Sequence, residues 1–158
     1  MSTYLNIEES QIPDMCLDLY REYGTTMAGL KALGYEFDND KYHDFVHGTL
    51  PYNALKPDLV LRNLLLSMPQ RKIIFTNADR AHAARVLSRM CLEDCFEGVI
   101  CFETLNNHPV REPENTDDAG NMINCTRIIC KPALDSFQAA MVVANIDPNK
   151  TVISSLDS

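Results

Sequence analysis

The stretch Lys72–Leu87, KIIFTNADRAHAARVL, decides the fold. Its apolar run, Ile73 to Phe75, stops at Thr76 and Asn77, and an alanine-rich segment begins at once behind Asp79. In ADRAHAARVLSRMCL, Ala83, Leu87 and Met90 recur at helical spacing, so a short buried strand passes directly into a helix. The same alternation continues downstream. EGVICFE is a second strand candidate, PALDSFQAAMVVANI is a helix with Leu134, Phe137, Met141 and Ala144 in register, and KTVIS is a third strand candidate. Strands separated by helices of this length predict parallel pairing through right-handed crossovers, the α/β doubly wound plan.

Upstream of Pro69 the chain reads as helices only. From Ile12, apolar side chains recur at Met15, Cys16, Leu19 and Tyr23, and Gly24 supplies a stop. TTMAGLKAL ends at Gly34, DKYHDFVH runs to Gly48, and DLVLRNLLLSM puts Leu61, Leu64, Leu65 and Met68 on one face before Pro69. GTLPYNALKPD, with two prolines, is a turn-rich connection. LNNHPVREPENTDDAGNMINC is polar and aperiodic, and reads as a solvated loop or a mobile excursion at the ligand edge.

At 158 residues the chain can build one sizeable core. Against 14 Lys and Arg stand 22 Asp and Glu, a net charge of −8 with no basic stripe, which argues against nucleic acid or an anionic membrane as partner. No apolar run approaches the roughly 20 residues of a membrane span, and MSTYLNIEES lacks the pattern of a secretory signal. The expected location is therefore the cytoplasm, or the nucleus. The six cysteines form no CxxC pair and are expected to be reduced thiols.

Thr76 and Asn77 carry the first chemistry. Ligands of an open parallel sheet sit beyond the carboxyl ends of the strands, where loops lead into helix N-termini. A hydroxyl and an amide placed there, ahead of a helix with free N–H groups, suit a phosphate. The plainer reading is that Asn77 or Asp79 caps the helix. In RIICKPALDSF, Lys131 follows an apolar tripeptide and precedes Pro132, a helix start from which an ammonium can neutralise a phosphoryl oxygen.

With these motifs in place, IIFTNADRAHAARVLSRMCLEDCFEGVICFE and IICKP resemble the second and third motifs of the haloacid dehalogenase superfamily, in particular its pyrimidine 5′-nucleotidase-like hydrolases. LYREYGTTMAGLKALGYEFDNDKYHDFVHGTLPY resembles the helical cap of that subgroup. The resemblance implies a Rossmann-like, three-layer α/β/α core with an N-terminal α-helical cap: residues 1–56 as cap and 57–158 as core. It implies a magnesium-dependent phosphatase in which Thr76 and Asn77 hold the phosphoryl group of a nucleoside monophosphate and Lys131 steadies nucleophile and phosphate. Tyr23, Thr25 and His47 are the candidate substrate-facing residues of the cap.

The sequence departs from that pattern at both ends. Such enzymes carry an apolar strand ending in Asp-x-Asp, whose first Asp is the nucleophile and whose pair helps ligate magnesium. Here the sole Asp-x-Asp, Asp38 to Asp40, lies in a polar turn with no strand before it. Where the family shows two adjacent acids after the last strand, the chain has Ser155 and Leu156, with Asp157 solitary. The core is thus expected to be incomplete and catalytically impaired, with no assigned metal ligand. The alternative is a non-catalytic fragment that binds a phosphate ligand or a protein. Since the nucleophile strand lies mid-sheet in that family, its neighbours are expected to expose unpaired edges, giving a marginally stable, self-associating protein. HDFVH, with His43 and His47 four apart, resembles a zinc-hydrolase signature, but no third ligand follows at a recognised offset, so the two read as cap-lining or surface histidines.

Overall fold

Glycines and short polar caps set the helix boundaries of the first half of the molecule, as the computed structural model shows; it describes residues 8–107, 110–111, 115–116, 122–123 and 126–154. Helix α1 (Ile12–Tyr23) carries Pro13 in its first turn, where a missing N–H costs nothing, and ends at Gly24 with φ 81°. Helix α2 (Thr26–Ala32) is capped by Thr25, whose hydroxyl accepts from the Ala28 N–H at 3.0 Å. A Cβ at Gly29 would lie 2.7 Å from the Leu19 side chain, so glycine there permits the two helices to close on each other. Leu19, Met27, Ala28 and Leu30 are buried in that contact.

Helix α3 (Asn39–Gly48) starts at Asp38, which accepts from the Lys41 N–H at 3.0 Å. The Asp38–Asp40 stretch is therefore a helix start and not a strand end. Helix α4 (Leu59–Ser67) starts at Asp58. Arg62 of α4 ties this helix to the turn at Glu93–Cys95 through Asp94 and the Cys91 carbonyl.

Strand β1 (Ile73–Phe75) lies parallel to β2 (Gly98–Ile100), with Ile73 opposite Gly98 and Phe75 opposite Ile100. Helix α5 (Arg80–Met90) connects them. After β2 come the short α6 (Phe102–Asn106) and two antiparallel two-residue ladders: β3 (Val110–Arg111) with β6 (Thr126–Arg127), and β4 (Asn115–Thr116) with β5 (Met122–Ile123). Helix α7 (Leu134–Ala144) closes the described fold. The molecule is mixed α/β, mostly helical, with a small two-stranded parallel sheet: a partial Rossmann-like arrangement.

Four expectations need correction. Residues 151–154 form no strand, and Val152 and Ile153 are exposed. A strand exists only where a neighbour accepts its N–H groups, and none among the described residues does so here. Leu64 and Met68 of α4, expected inward, are 58% and 41% exposed, because this helix has little sheet to cover. In α7 Leu134 alone of the expected inward set is exposed, at 72%; Phe137, Met141 and Ala144 are half-buried, Phe137 against the Phe75 ring, and Ser136 and Ala140 beside them are buried. Finally, the aperiodic segment 105–125, read as a solvated loop or a mobile excursion, contains short paired stretches among its described residues. His108, Cys125, Ser155, Leu156 and Asp157 lie outside the described residues. None of the other five cysteines is in a disulfide.

Candidate functional site

At the carboxyl end of β1 the backbone makes one last ladder bond, Thr76 N–H to the Ile100 carbonyl at 2.9 Å, and then turns. The Thr76 hydroxyl oxygen accepts from the Ala78 N–H at 3.1 Å, which fixes the turn and leaves its O–H proton free of that bond. Asp79 caps α5: its Oδ2 accepts from the His82 N–H at 3.2 Å, so the capping reading holds for Asp79.

Asn77 does something the sequence does not reveal. Its carboxamide donates to the Lys131 carbonyl at 3.0 Å and accepts the Lys131 N–H at 2.9 Å, clamping two segments 54 residues apart. The side chain that the sequence assigns to phosphate is thus engaged in positioning Lys131. The Lys131 ammonium donates to the Phe75 carbonyl at 2.8 Å and lies 5.1 Å above the Phe75 ring. Burial lowers its pKa from the ordinary lysine value. Thr76 and the Lys131 ammonium are thus both placed at the end of β1, and the ammonium keeps two further N–H groups beyond its bond to Phe75.

The helix N-terminus expected to cradle an anion is partly occupied by the chain itself. Both Glu103 carboxylate oxygens accept from the Arg80 N–H, at 3.0 and 2.9 Å, and Asp79 takes the His82 N–H. An incoming phosphate has to rely on Thr76 and Lys131 or displace Glu103.

The helical half meets this loop at two places. The Tyr23–Thr25 turn packs on residues 130–132: the Cys130 thiol donates to the Tyr23 carbonyl at 3.3 Å, and Thr25 lies 3.9 Å from the same sulfur. A Cβ on Gly24 would stand 2.3 Å from the Lys131 carbonyl oxygen, so the approach requires glycine. Of the three candidate cap residues, Tyr23 and Thr25 contact the lysine segment, and the Thr25 hydroxyl is already the cap of α2.

His47 meets Asp79 instead. Its Nδ1 donates to Asp79 Oδ1 at 2.5 Å, and His43 Nδ1 is 3.8 Å from that oxygen. His82 stacks on His47 with ring centroids 4.3 Å apart, and its Nδ1 is 2.7 Å from the Tyr52 hydroxyl. Burial would raise the Asp79 pKa, but hydrogen bonds from the His82 N–H and from His47 outweigh it and hold the value below the ordinary carboxylate range. Burial lowers the pKa of His43 and, joined by the charge of His47, that of His82. Asp79, His82 and Tyr52 were invisible as a group in the sequence. The one available signal was the His43/His47 spacing, and the third member stands 32 positions further along.

Magnesium, which the resemblance implies, requires an octahedral set of oxygen ligands, several of them carboxylates or waters. The Thr76–Asn77–Lys131 group offers no carboxylate and places an ammonium in the loop. Asp79 is a single carboxylate set among imidazole nitrogens, which magnesium does not favour. The described residues do not fit that ion.

The fold and loop define a mixed α/β protein with a hydroxyl and a half-buried ammonium both placed at the carboxyl end of a parallel strand. The chain is similar to Phosphate metabolism protein 8 of Saccharomyces cerevisiae, with 25% identity over 150 residues, covering 90% of this chain and 42% of that protein. It therefore spans less than half the length of that curated relative. No family model matches the chain.

Proposed function

We propose that the chain is a phosphatase-like homologue of the haloacid dehalogenase superfamily, of the pyrimidine 5′-nucleotidase-like kind, whose residues hold a phosphate monoester without supplying the attacking carboxylate. One observation carries this reading: the reciprocal Asn77–Lys131 hydrogen bonds, which deliver the Lys131 ammonium to the end of β1 beside Thr76. The name of the yeast relative, which refers to phosphate metabolism, agrees with it. Thr76 would donate its hydroxyl proton to a phosphoryl oxygen and Lys131 would offset charge, the two functions on which phosphoryl transfer depends most. A nucleoside monophosphate is the expected ligand. Magnesium is the charge-neutralising ion that the resemblance implies. With no covalent acceptor among these residues, a phosphoenzyme does not form. The site of action is the cytoplasm or the nucleus.

The test is a titration with UMP, following amide resonances of Thr76 and Asn77, beside hydrolysis assays on UMP, CMP and p-nitrophenyl phosphate with magnesium present. Weak binding without turnover is expected, weakened further in Lys131→Ala. Turnover abolished by Lys131→Ala, or micromolar affinity that depends on magnesium, would overturn the reading.

A second reading, a chain that associates through its sheet edge, is favoured by a separate observation. The Lys72 carbonyl and the Thr76 N–H bond to the β2 side, so by alternation the Ile73 and Phe75 groups face away from it. No strand among the described residues pairs on that side. Lys131 covers the Phe75 carbonyl only. Self-association or capture of an added strand is expected, and sedimentation measures it. A dilute monomer that melts cooperatively above about 55 °C, within the normal range for intact domains, would count against it.

A further inference from the structure

Three of the four histidines of the chain gather at one point where α3 meets the start of α5, around a single carboxylate. We propose that His43, His47 and Asp79 form a binding site for a divalent transition-metal ion of the zinc class, bridging the helical half to the α/β half. This goes beyond the phosphate reading and does not rest on it.

The geometry argues for an ion more than for a hydrogen-bond network. His43 and His47 are separated by one helical turn and point the same way, with rings 5.4 Å apart. One ligand atom from each of His43, His47 and Asp79 lies within 4.8 Å of the other two. A tetrahedral zinc ion with bonds of about 2.1 Å holds its ligand atoms about 3.4 Å apart. The observed contacts to Asp79 Oδ1, 2.5 Å from His47 and 3.8 Å from His43, lie on either side of that value. Adjustments of about 1 Å or less in the side chains bring both onto it.

A second, independent observation also points to a missing ligand. His43 is 8% exposed, and neither of its ring nitrogens has a hydrogen-bond partner. A buried polar atom without a partner is costly, and such atoms in folded proteins are almost always satisfied. An ion accepting the lone pair of one ring nitrogen removes that cost. The surroundings match what metal sites require of their outer groups. Asp79 Oδ2 is held by the His82 N–H, which aims Oδ1 at the histidines; Phe102 packs edge-on against His43 at 4.8 Å; and His82 with Tyr52 fixes the face of His47. Two imidazoles with one carboxylate is a set for zinc-class ions and not for magnesium, which takes oxygen. Three protein ligands leave a fourth position for water or for an anion.

The test uses the whole chain, reduced and metal-free, with zinc alone and then cobalt as a spectroscopic stand-in. One zinc per chain is expected, unaffected by excess magnesium, with a raised melting temperature. Asp79→Asn keeps the helix cap but removes the charge, and His47→Gln removes a ligand. Each should weaken zinc binding by about a hundredfold or more, since loss of a mere outer partner already costs about ten- to a hundredfold. Cobalt should give visible d–d absorption without the near-ultraviolet charge-transfer band of a thiolate, because no cysteine belongs to the site. Should either variant fail to fold, histidine ring-nitrogen resonances of the unmodified chain decide: zinc must shift those of His43 and His47. Unmoved resonances, a thiolate band, or folded variants that bind zinc as well as the parent would overturn the proposal.

Discussion

In the α1–α2 pair Leu19, Met27, Ala28 and Leu30 are buried together, whereas no residue of β1 is buried and in β2 only Ile100 is. Both regions are built from apolar residues at the correct spacing for their element. They differ in where the covering surface comes from. The two helices are joined by two residues and cover each other, with Gly29 letting Leu19 approach. A parallel strand needs neighbours on both edges and helices on both faces, all of them distant in sequence. Where these residues do not supply them, apolar side chains such as Val60, Leu64 and Val142 stay exposed. Local closure makes one region self-sufficient, and dependence on remote partners leaves the other open.

Substitutions can break that contrast in a graded way. Leu30→Ala removes a side chain that is 1% exposed and should destabilise by about 3 kcal/mol, read from urea unfolding followed by helix ellipticity. A loss below about 1 kcal/mol would mean that the α1–α2 contact is not a core. Gly24→Ala places a Cβ at positive φ against the Lys131 carbonyl and should cost about 2–3 kcal/mol. It should also disturb the amide resonances of Lys131 while leaving those of α5 in place, because the strain falls on the contact between the halves.

Asn77→Ala deletes both bonds to the Lys131 backbone and should cost about 1–2 kcal/mol. Its more telling effect is on ligands: UMP affinity should fall as far as it does in Lys131→Ala, since the ammonium loses its placement. Equal affinity in Asn77→Ala and the parent would assign Asn77 a purely structural part. Leu64→Ser, at a position 58% exposed, should change stability by no more than about 0.5 kcal/mol in the same urea unfolding. A loss of several kcal/mol would show that α4 is covered in solution, and the contrast between the halves would then dissolve.

Much of the architecture was legible because it depends on short-range chemistry. Gly24 and Gly34 stop helices through left-handed backbone angles, and Thr25, Asp38, Asp58 and Asp79 begin them by accepting N–H groups three residues on; each of these acts within one turn. The run Ile73–Phe75 announces a strand by composition, and its partner Gly98–Ile100 does the same. KTVIS carries a comparable signal and yet forms no strand, because strand-forming residues need an available neighbour and the sequence does not state whether one is free.

The candidate site divides along the same line. Thr76, Asn77 and Lys131 were individually visible as residue types at the ends of apolar runs, and the resemblance to a phosphatase family rests on them. The clamp between Asn77 and Lys131, the intrusion of Glu103 on the α5 start, and the meeting of His43 and His47 with Asp79 were decided only by tertiary structure. Capping, helical period and turn chemistry are fixed by neighbours along the chain, so the sequence alone determined them. Which carboxylate faces which imidazole depends on how two halves dock across a separation of 32 positions, and no local pattern encodes that distance.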